Sequence, residues 1–279
     1  MSQNFQTVHP IDATFAALRA SGKKAFIPFV TAGDPDTEIS LRVCEVLIKN
    51  GADIIEIGFP YSDPIADGPV IQASYTRALS KKLKSAQIWA MAKSICQSEA
   101  YQSRPIPLVA MVSFSLILKQ GVERFLDHAK DSGFSGFIVP DLPWDESTEL
   151  GKAIAAKGLK LIQLVTPTTP PDRSASIAND SGGFLYCVSV SGITGERREL
   201  PLSLLERLNT LRSQSSTPLC VGFGISSPDQ AQMLKSHCDG VIVGSALVRQ
   251  FVRFANEPSD RVLADIGSFC TNMRFALDS

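Results

Sequence analysis

The stretch Ala25–Phe59, AFIPFVTAGDPDTEISLRVCEVLIKNGADIIEIGF, decides the fold. Its first seven residues, Ala25–Thr31, form an apolar run that stops at the turn Ala32-Gly33-Asp34-Pro35, which predicts a buried strand. Thr37–Lys49 follows with Ile39, Val43, Val46 and Leu47 at helical spacing, and Asn50-Gly51 is a helix stop. A second apolar run, Asp53–Phe59, then predicts another strand. The unit is strand, helix, strand.

Outward from this unit the alternation repeats. Towards the N-terminus, Ile11, Phe15 and Leu18 mark a helix near Ile11–Ser21. Towards the C-terminus, strands are predicted at Pro107–Phe114, Gly136–Asp141, Leu159–Val165, Phe184–Val190, Pro218–Gly224 and Gly240–Gly244. Helices are predicted near Ala86–Gln97, Val122–Ser132, Ser147–Ala156, Pro171–Asn179, Ser203–Arg212 and Pro228–Ser236. A last helical region, Ser245–Phe275, is interrupted around Glu257-Pro258-Ser259. The strand runs are mostly apolar rather than alternating, as parallel strands buried on both faces require. Eight strands, each followed by a helix, and no linker that divides the chain predict an α/β fold. The expected architecture is one (β/α)8 TIM barrel over 1–279 with an extra N-terminal helix; an open doubly wound sheet is the alternative.

Composition narrows the function. The 279 residues carry 27 Lys+Arg and 28 Asp+Glu, a net charge of −1, so nothing here is a polycation for nucleic acid or an anionic membrane. No run approaches the roughly 18 apolar residues of a membrane span, and the N-terminus lacks the basic start and apolar core of a secretory signal. Cys44, Cys96, Cys187, Cys220, Cys238 and Cys270 show no CxxC pairing and lie mostly in apolar runs, as expected of reduced, buried thiols in a cytoplasmic protein. His9, His128 and His237 are far apart, so neither a metal site nor a His-based triad is expected, and the chemistry falls to carboxylates.

In a barrel of this kind the active site lies at the C-terminal ends of the strands. Glu56 sits there among Ile54, Ile55 and Ile57, where a charge is costly. Desolvation raises the pKa of such a carboxyl and suits it to give and take a proton near neutral pH. The plainer alternative is a structural ion pair with a buried base. Asp63 and Asp67 lie in the Pro- and Gly-rich loop after this strand, where turn formation or helix capping competes with a functional role. Late in the chain, Ser191–Gly195, Gly222–Ser226 and Gly244-Ser245-Ala246 place glycines at three strand ends, and a helix is predicted to begin at Ser245. Free backbone N–H groups and a helix N-terminus at these positions point to a phosphate-bearing small substrate. The loop to Leu200 also carries Glu196, Arg197, Arg198 and Glu199, which read as an exposed lid.

Six segments resemble the tryptophan synthase alpha chain family: PFVTAGDP (Pro28–Pro35), EIGFPYSDPIADGPVIQ (Glu56–Gln72), VPDLP (Val139–Pro143), SGITG (Ser191–Gly195), GFGIS (Gly222–Ser226) and VGSALV (Val243–Val248). They occur in family order, and the FPYSDPIADGP part is the most specific. The resemblance implies a lyase that cleaves indole-3-glycerol phosphate to indole and glyceraldehyde 3-phosphate. By position it makes Glu56 the general acid/base and Asp67 the carboxylate that accepts from the indole N–H. It puts Phe29, Ile71 and Tyr186 beside the substrate, Thr194 in the closing loop, and Gly195, Gly224, Gly244 and Ser245 at the phosphate. No metal and no organic cofactor are implied in this chain.

The same resemblance implies a beta-chain partner that carries pyridoxal phosphate, in an alpha2-beta2 heterotetramer. Asp63 and Pro64 match the loop that meets this partner, and Asp141 matches a residue linked to communication between the chains. Two positions depart from the pattern. Ser113-Phe114-Ser115 stands where the family often has a Tyr–x–Asn motif, and Val190 stands where some members carry Arg. Neither touches the acid/base or phosphate positions. A stand-alone indole-releasing lyase and a non-catalytic, phosphate-binding regulatory subunit are the competing readings; the second leaves Glu56 and Asp67 without a purpose.

Overall fold

The computed structural model describes residues 8–64, 67–189, 202–222 and 224–279. Eight strands, β1 (Ala25–Thr31), β2 (Ile55–Gly58), β3 (Leu108–Met111), β4 (Phe134–Ile138), β5 (Lys160–Val165), β6 (Leu185–Val188), β7 (Leu219–Gly222) and β8 (Gly240–Val243), run parallel, each beside the next. β8 pairs back onto β1, from Ala25 opposite Gly240 to Pro28 opposite Val243, and the barrel closes. The open sheet is excluded. β1, β2, β3, β4, β7 and β8 are buried at every residue, between helices outside and side chains inside. Burial on both faces is why these runs carry no polar alternation.

The helices are α1 (Pro10–Ala20), α2 (Thr37–Lys49), α3 (Pro69–Ser80), α4 (Ser85–Gln97), α5 (Glu99–Ser103), α6 (Phe114–Gln120), α7 (Val122–Asp131), α8 (Thr148–Ala156), α9 (Pro171–Asp180), α10 (Leu202–Gln214), α11 (Pro228–Leu234), α12 (Ser245–Val248) and α13 (Ser259–Asp278). β1 and α2 coincide with the sequence reading; several other limits move. The third strand stops at Met111 rather than Phe114, because the Ser113 hydroxyl accepts from Leu116 N at 3.4 Å and starts α6. Of the apolar residues that prolong this run, Phe114 packs from the short helix, while Val112 N still donates to Ile138 O at 3.0 Å. The last helical region changes at Arg249 into a 3-10 helix that ends at Ala255, ahead of the expected break. α5 and the 3-10 turn Trp144–Glu146 are too short to leave a periodic pattern.

α1 is the extra N-terminal helix. Its Ile11, Phe15 and Leu18 are buried, and Phe15 meets Phe184, just ahead of β6, with ring centroids 5.7 Å apart. The helix therefore covers the N-terminal end of the barrel. At that same end Asp53, 7% exposed, is fully engaged. Its Oδ2 accepts from Phe26 N at 2.9 Å and from Arg274 at 2.8 Å, and its Oδ1 accepts from Arg104 at 2.9 Å. One carboxylate thus ties β1, the start of β2, α13 and the residue after α5.

At the opposite end Asp34, wholly buried in the loop after β1, accepts from Arg77 Nε at 2.9 Å and Nη2 at 2.6 Å, and from the Ser74 hydroxyl. Ser74 and Arg77 belong to α3, so this bidentate pair clamps α3 beside the barrel mouth. All six cysteines are free; five are buried and Cys96 is half-buried. Burial pushes the thiols of Cys44, Cys187, Cys238 and Cys270 up to about 12, which leaves them unreactive near neutral pH. Among the described residues no helix is long and apolar enough to cross a membrane.

Candidate active site

Glu56 stands in the middle of β2 opposite Phe29 of β1, and it is 1% exposed. Among the described residues no Lys or Arg pairs with it, and its Oε2 is buried without a hydrogen-bond partner. Among the described residues, the structural ion pair that competes with a catalytic role is therefore not formed. Two residues on, Gly58 lies on the same face. A Cβ at Gly58 would stand 2.3 Å from Phe29 Cζ and 2.8 Å from the Tyr75 hydroxyl, so only glycine lets these rings converge beside Glu56. Across the barrel a Cβ at Gly222 would stand 2.3 Å from the Tyr186 hydroxyl, and the same reasoning applies. Ile71, in the first turn of α3, is 7% exposed.

Asp67 is the second carboxyl of the mouth, 9% exposed. It does not cap α3: the N-cap is Gly68, with no side-chain bond. Its backbone oxygen instead accepts from Gln72 Nε2 at 2.8 Å, and its carboxyl lies near the Tyr61 hydroxyl. Burial, reinforced by the nearby Asp67 charge, pushes Glu56 up to about 8. Burial also raises Asp67, but the Tyr61 hydroxyl opposes it and the value is about 6. At pH 7 Glu56 is thus mostly a neutral acid and Asp67 mostly an anion. Burial first, then these carboxylates, also drives the phenols of Tyr75 and Tyr186 well up, so both stay protonated donors.

The phosphate side is formed by turns. Gly224 follows β7, and Gly244 and Ser245 join β8 to α12, all at the C-terminal ends of their strands. A Cβ at Gly244 would lie 3.8 Å from Phe29 Cβ, which sets this turn next to the aromatic contact. α12 is a single turn before the chain tightens into 3-10 helix, shorter than the continuous helix expected from Ser245. Its N-cap Gly244 offers no capping side chain, so its first N–H groups are left for another acceptor. Thr194 and Gly195 lie outside the described residues, as do Val190 and the charged residues Glu196 to Glu199.

Asp63 is exposed and accepts from the Ser62 hydroxyl at 2.7 Å; the Pro64 carbonyl accepts from Gln72 Nε2 at 3.2 Å. Beside them opens a cleft of about 880 Å³ lined by Tyr61, Asp63, Ser115, Lys119, Arg124 and Asp141, among others. The Ser113 and Ser115 hydroxyls lie 2.9 Å apart, and Asp141 Oδ1 accepts from Phe114 N at 2.8 Å. Asp141 lies three residues beyond β4 and holds the start of α6 through the backbone, a bond that does not depend on the side chain at 115.

Three site residues escape sequence reasoning. Tyr61 lies in the loop after β2, yet Asp67, the carboxyl it lies near, is six residues further on and no local pattern links them. Tyr75, one helical turn beyond Ile71, reads as plain apolar face. Thr31 ends β1 on the Phe29 face, with a fully buried hydroxyl that finds no partner among the described residues.

Fold and site together define a class: a (β/α)8 barrel with two buried, unequal carboxyls at its C-terminal mouth and glycine turns across from them. Within that class the chain belongs to the tryptophan synthase alpha chain family, whose model matches residues 15–277. It is 43% identical to the tryptophan synthase alpha chain of Rhodopirellula baltica over 97% of this chain and 99% of that one. The alpha chain of Synechocystis sp. is 44% identical, over 97% of this chain and 100% of the relative. Tryptophan synthase subunit alpha from Legionella pneumophila superposes with a TM-score of 0.87 at 33% identity, covering 98% of this chain and 99% of that chain.

Proposed function

We propose that this barrel mouth performs the alpha-chain reaction of tryptophan synthase with Glu56 and Asp67 as its catalytic groups. The reaction is the cleavage of indole-3-glycerol phosphate to indole and glyceraldehyde 3-phosphate, a step of tryptophan biosynthesis. Neutral Glu56 gives its proton to indole C3, and the ring nitrogen becomes cationic. Asp67 accepts the indole N–H and stabilises that charge where it develops. Glu56, now a carboxylate, takes the proton of the side-chain hydroxyl. The C–C bond breaks, its electron pair returns to the ring, and Glu56 is neutral again. Glu56 serves as acid and then base, and no proton is left over.

The observation that carries this reading is the pair of carboxyls on either side of neutrality, Glu56 at about 8 and Asp67 at about 6. Such a split assigns acid and anion within one site. Phe29, Ile71 and Tyr186 are proposed to hold the indole, and Gly224, Gly244 and Ser245, with Thr194 and Gly195, the phosphate. The steps use this chain's side chains alone; pyridoxal phosphate belongs to the beta chain. That partner meets Asp63 and Pro64 in an alpha2-beta2 assembly, and residues 1–279 act as one domain. Six free thiols suit a cytoplasmic site of action.

Indole release from indole-3-glycerol phosphate, by the purified chain alone and with a beta chain, tests the assignment. Activity that rises with the partner and is lost in a folded Glu56→Gln variant supports it. High activity that no partner changes favours a stand-alone lyase, and no indole under either condition overturns the reading.

A further inference from the structure

Asp67 stands one residue ahead of Gly68, the N-cap of α3, so it lies outside the helix and the helical hydrogen bonds do not set its direction. Its N–H donates to Pro64 O at 3.1 Å, and its carbonyl accepts from Gln72 Nε2 at 2.8 Å. The same Nε2 also donates to Pro64 O, at 3.2 Å. A carboxamide has two N–H groups, and these two carbonyls engage both. The carbonyl bond fixes the peptide plane after Asp67 Cα, and the N–H bond fixes the plane before it. With both planes fixed, the direction of the Cα–Cβ bond is fixed as well.

Gln72 is itself half-buried on α3, next to Ile71, and α3 is held firmly at the barrel mouth. Asp34 clamps it through Arg77 Nε at 2.9 Å and Nη2 at 2.6 Å. Tyr75 packs so close to β2 that a Cβ at Gly58 would stand 2.8 Å from its hydroxyl. Support thus runs from the barrel to α3, from α3 to the Gln72 carboxamide, and from there to the backbone of Asp67.

We propose that Gln72 is a positioning residue for the cleavage: its carboxamide fixes the backbone of Asp67 and so aims the carboxylate at the substrate's ring N–H. The inference rests on the assignment of Asp67 made above. A group that stabilises developing charge contributes most when its direction is set before the reaction, so that nothing has to reorganise as the charge appears. A glutamine that only staples the loop makes the same two bonds. The two roles differ in one respect: an aiming residue has no effect on the rate once the group it aims is gone.

The test is a double-mutant cycle on the full chain with the beta chain present. Gln72→Met keeps the length of the side chain and removes both donors; Asp67→Ala removes the aimed group outright. kcat and KM for indole release are measured for the wild type, each single variant and the double variant, per folded molecule. Gln72→Met is expected to lower kcat about ten- to a hundredfold with little change in KM, because misplacement is felt in the transition state more than in substrate binding. On the Asp67→Ala background the same change is expected to lower kcat by no more than about twofold. Losses that multiply in full overturn the proposal, and so does a Gln72→Met variant with wild-type kcat. Should Gln72→Met not fold, Gln72→Glu, which keeps the shape without the donors, takes its place in the cycle with the same expectations. If the wild type releases no indole, it is the assigned reaction that fails; an active wild type whose losses multiply refutes the role of Gln72 alone.

Discussion

Asp53, two residues ahead of β2, and Glu56, within it, are three residues apart and both buried, and the molecule treats them in opposite ways. Burial raises the pKa of both. At the N-terminal end the Phe26 N–H, Arg274 and Arg104 oppose that rise and occupy both oxygens of Asp53. Among the described residues Glu56 meets no cation, and its neighbour is another carboxylate, Asp67. A buried acid is thus not by itself a sign of catalysis. What separates the two is whether the surroundings answer the charge: Asp53 is compensated and holds the barrel together, while Glu56 is left uncompensated and available to substrate.

The comparison breaks first on activity. Glu56→Gln is expected to lower kcat by at least ~10²–10⁴, because both proton transfers lose their carrier, with little change in KM. The same variant tests the cost of leaving Glu56 unanswered. The folded-state pKa of about 8 lies above the ordinary 4.5, so the folded chain holds a proton that the unfolded chain has lost. Stability is fully present below 4.5 and declines as pH rises through 8. Glu56→Gln should therefore raise the unfolding temperature relative to wild type at pH 9 and much less at pH 5; equal effects at both would contradict the raised pKa.

Asp67→Asn follows, with an expected loss of about 10²–10³ in kcat, the usual cost of removing one group that stabilises developing charge. A fall in affinity without a fall in kcat would reduce Asp67 to a binding contact. Asp53→Ala should do the reverse of Glu56→Gln. It removes the carboxylate that Arg104 and Arg274 share, although Arg274 keeps Asp278 and Arg104 keeps the Ile48 and Ala52 carbonyls, and it costs up to about 3 kcal/mol. Because the Arg104 side chain is 43% exposed, its share is discounted for solvent screening. Urea unfolding should report that loss, while activity per folded molecule stays near wild type.

The smallest expected effect is at the phosphate turns. Ser245→Ala removes one hydroxyl beside backbone donors that remain, so KM should rise about five- to tenfold with kcat unchanged. An unchanged KM would mean that the backbone alone binds the phosphate. With Asp67 acting as an anion and Glu56 as an acid, kcat/KM should also be bell-shaped, with limbs near 6 and 8.

Much of this was legible in the chain itself. Ala25–Thr31 and Thr37–Lys49 were read to the residue, because long periodic runs with clear stops leave little freedom. Glu56 stood out because a carboxyl amid isoleucines has few harmless explanations. The short helices α5 and α6 are not legible, since five residues of α5 display no period and the apolar residues of α6 run on from β3. Helix capping by Asp67 was a sound local expectation, but Gly68 takes that position and frees the carboxyl.

What the sequence alone determined is the order of strands and helices, the closed barrel they imply and the residue types at each strand end, since periodicity and turn chemistry are local. Only the tertiary structure decided how the buried acids differ. Whether a cation reaches Asp53 depends on Arg104 and Arg274, distant in the chain, and whether one reaches Glu56 depends on what the other strands leave empty. The nearness of Asp67 to Glu56 and the glycines that admit Phe29 and Tyr186 are decided in the same way. Electrostatic compensation and close packing act through space at a few ångströms, and only the closed barrel brings these atoms that near.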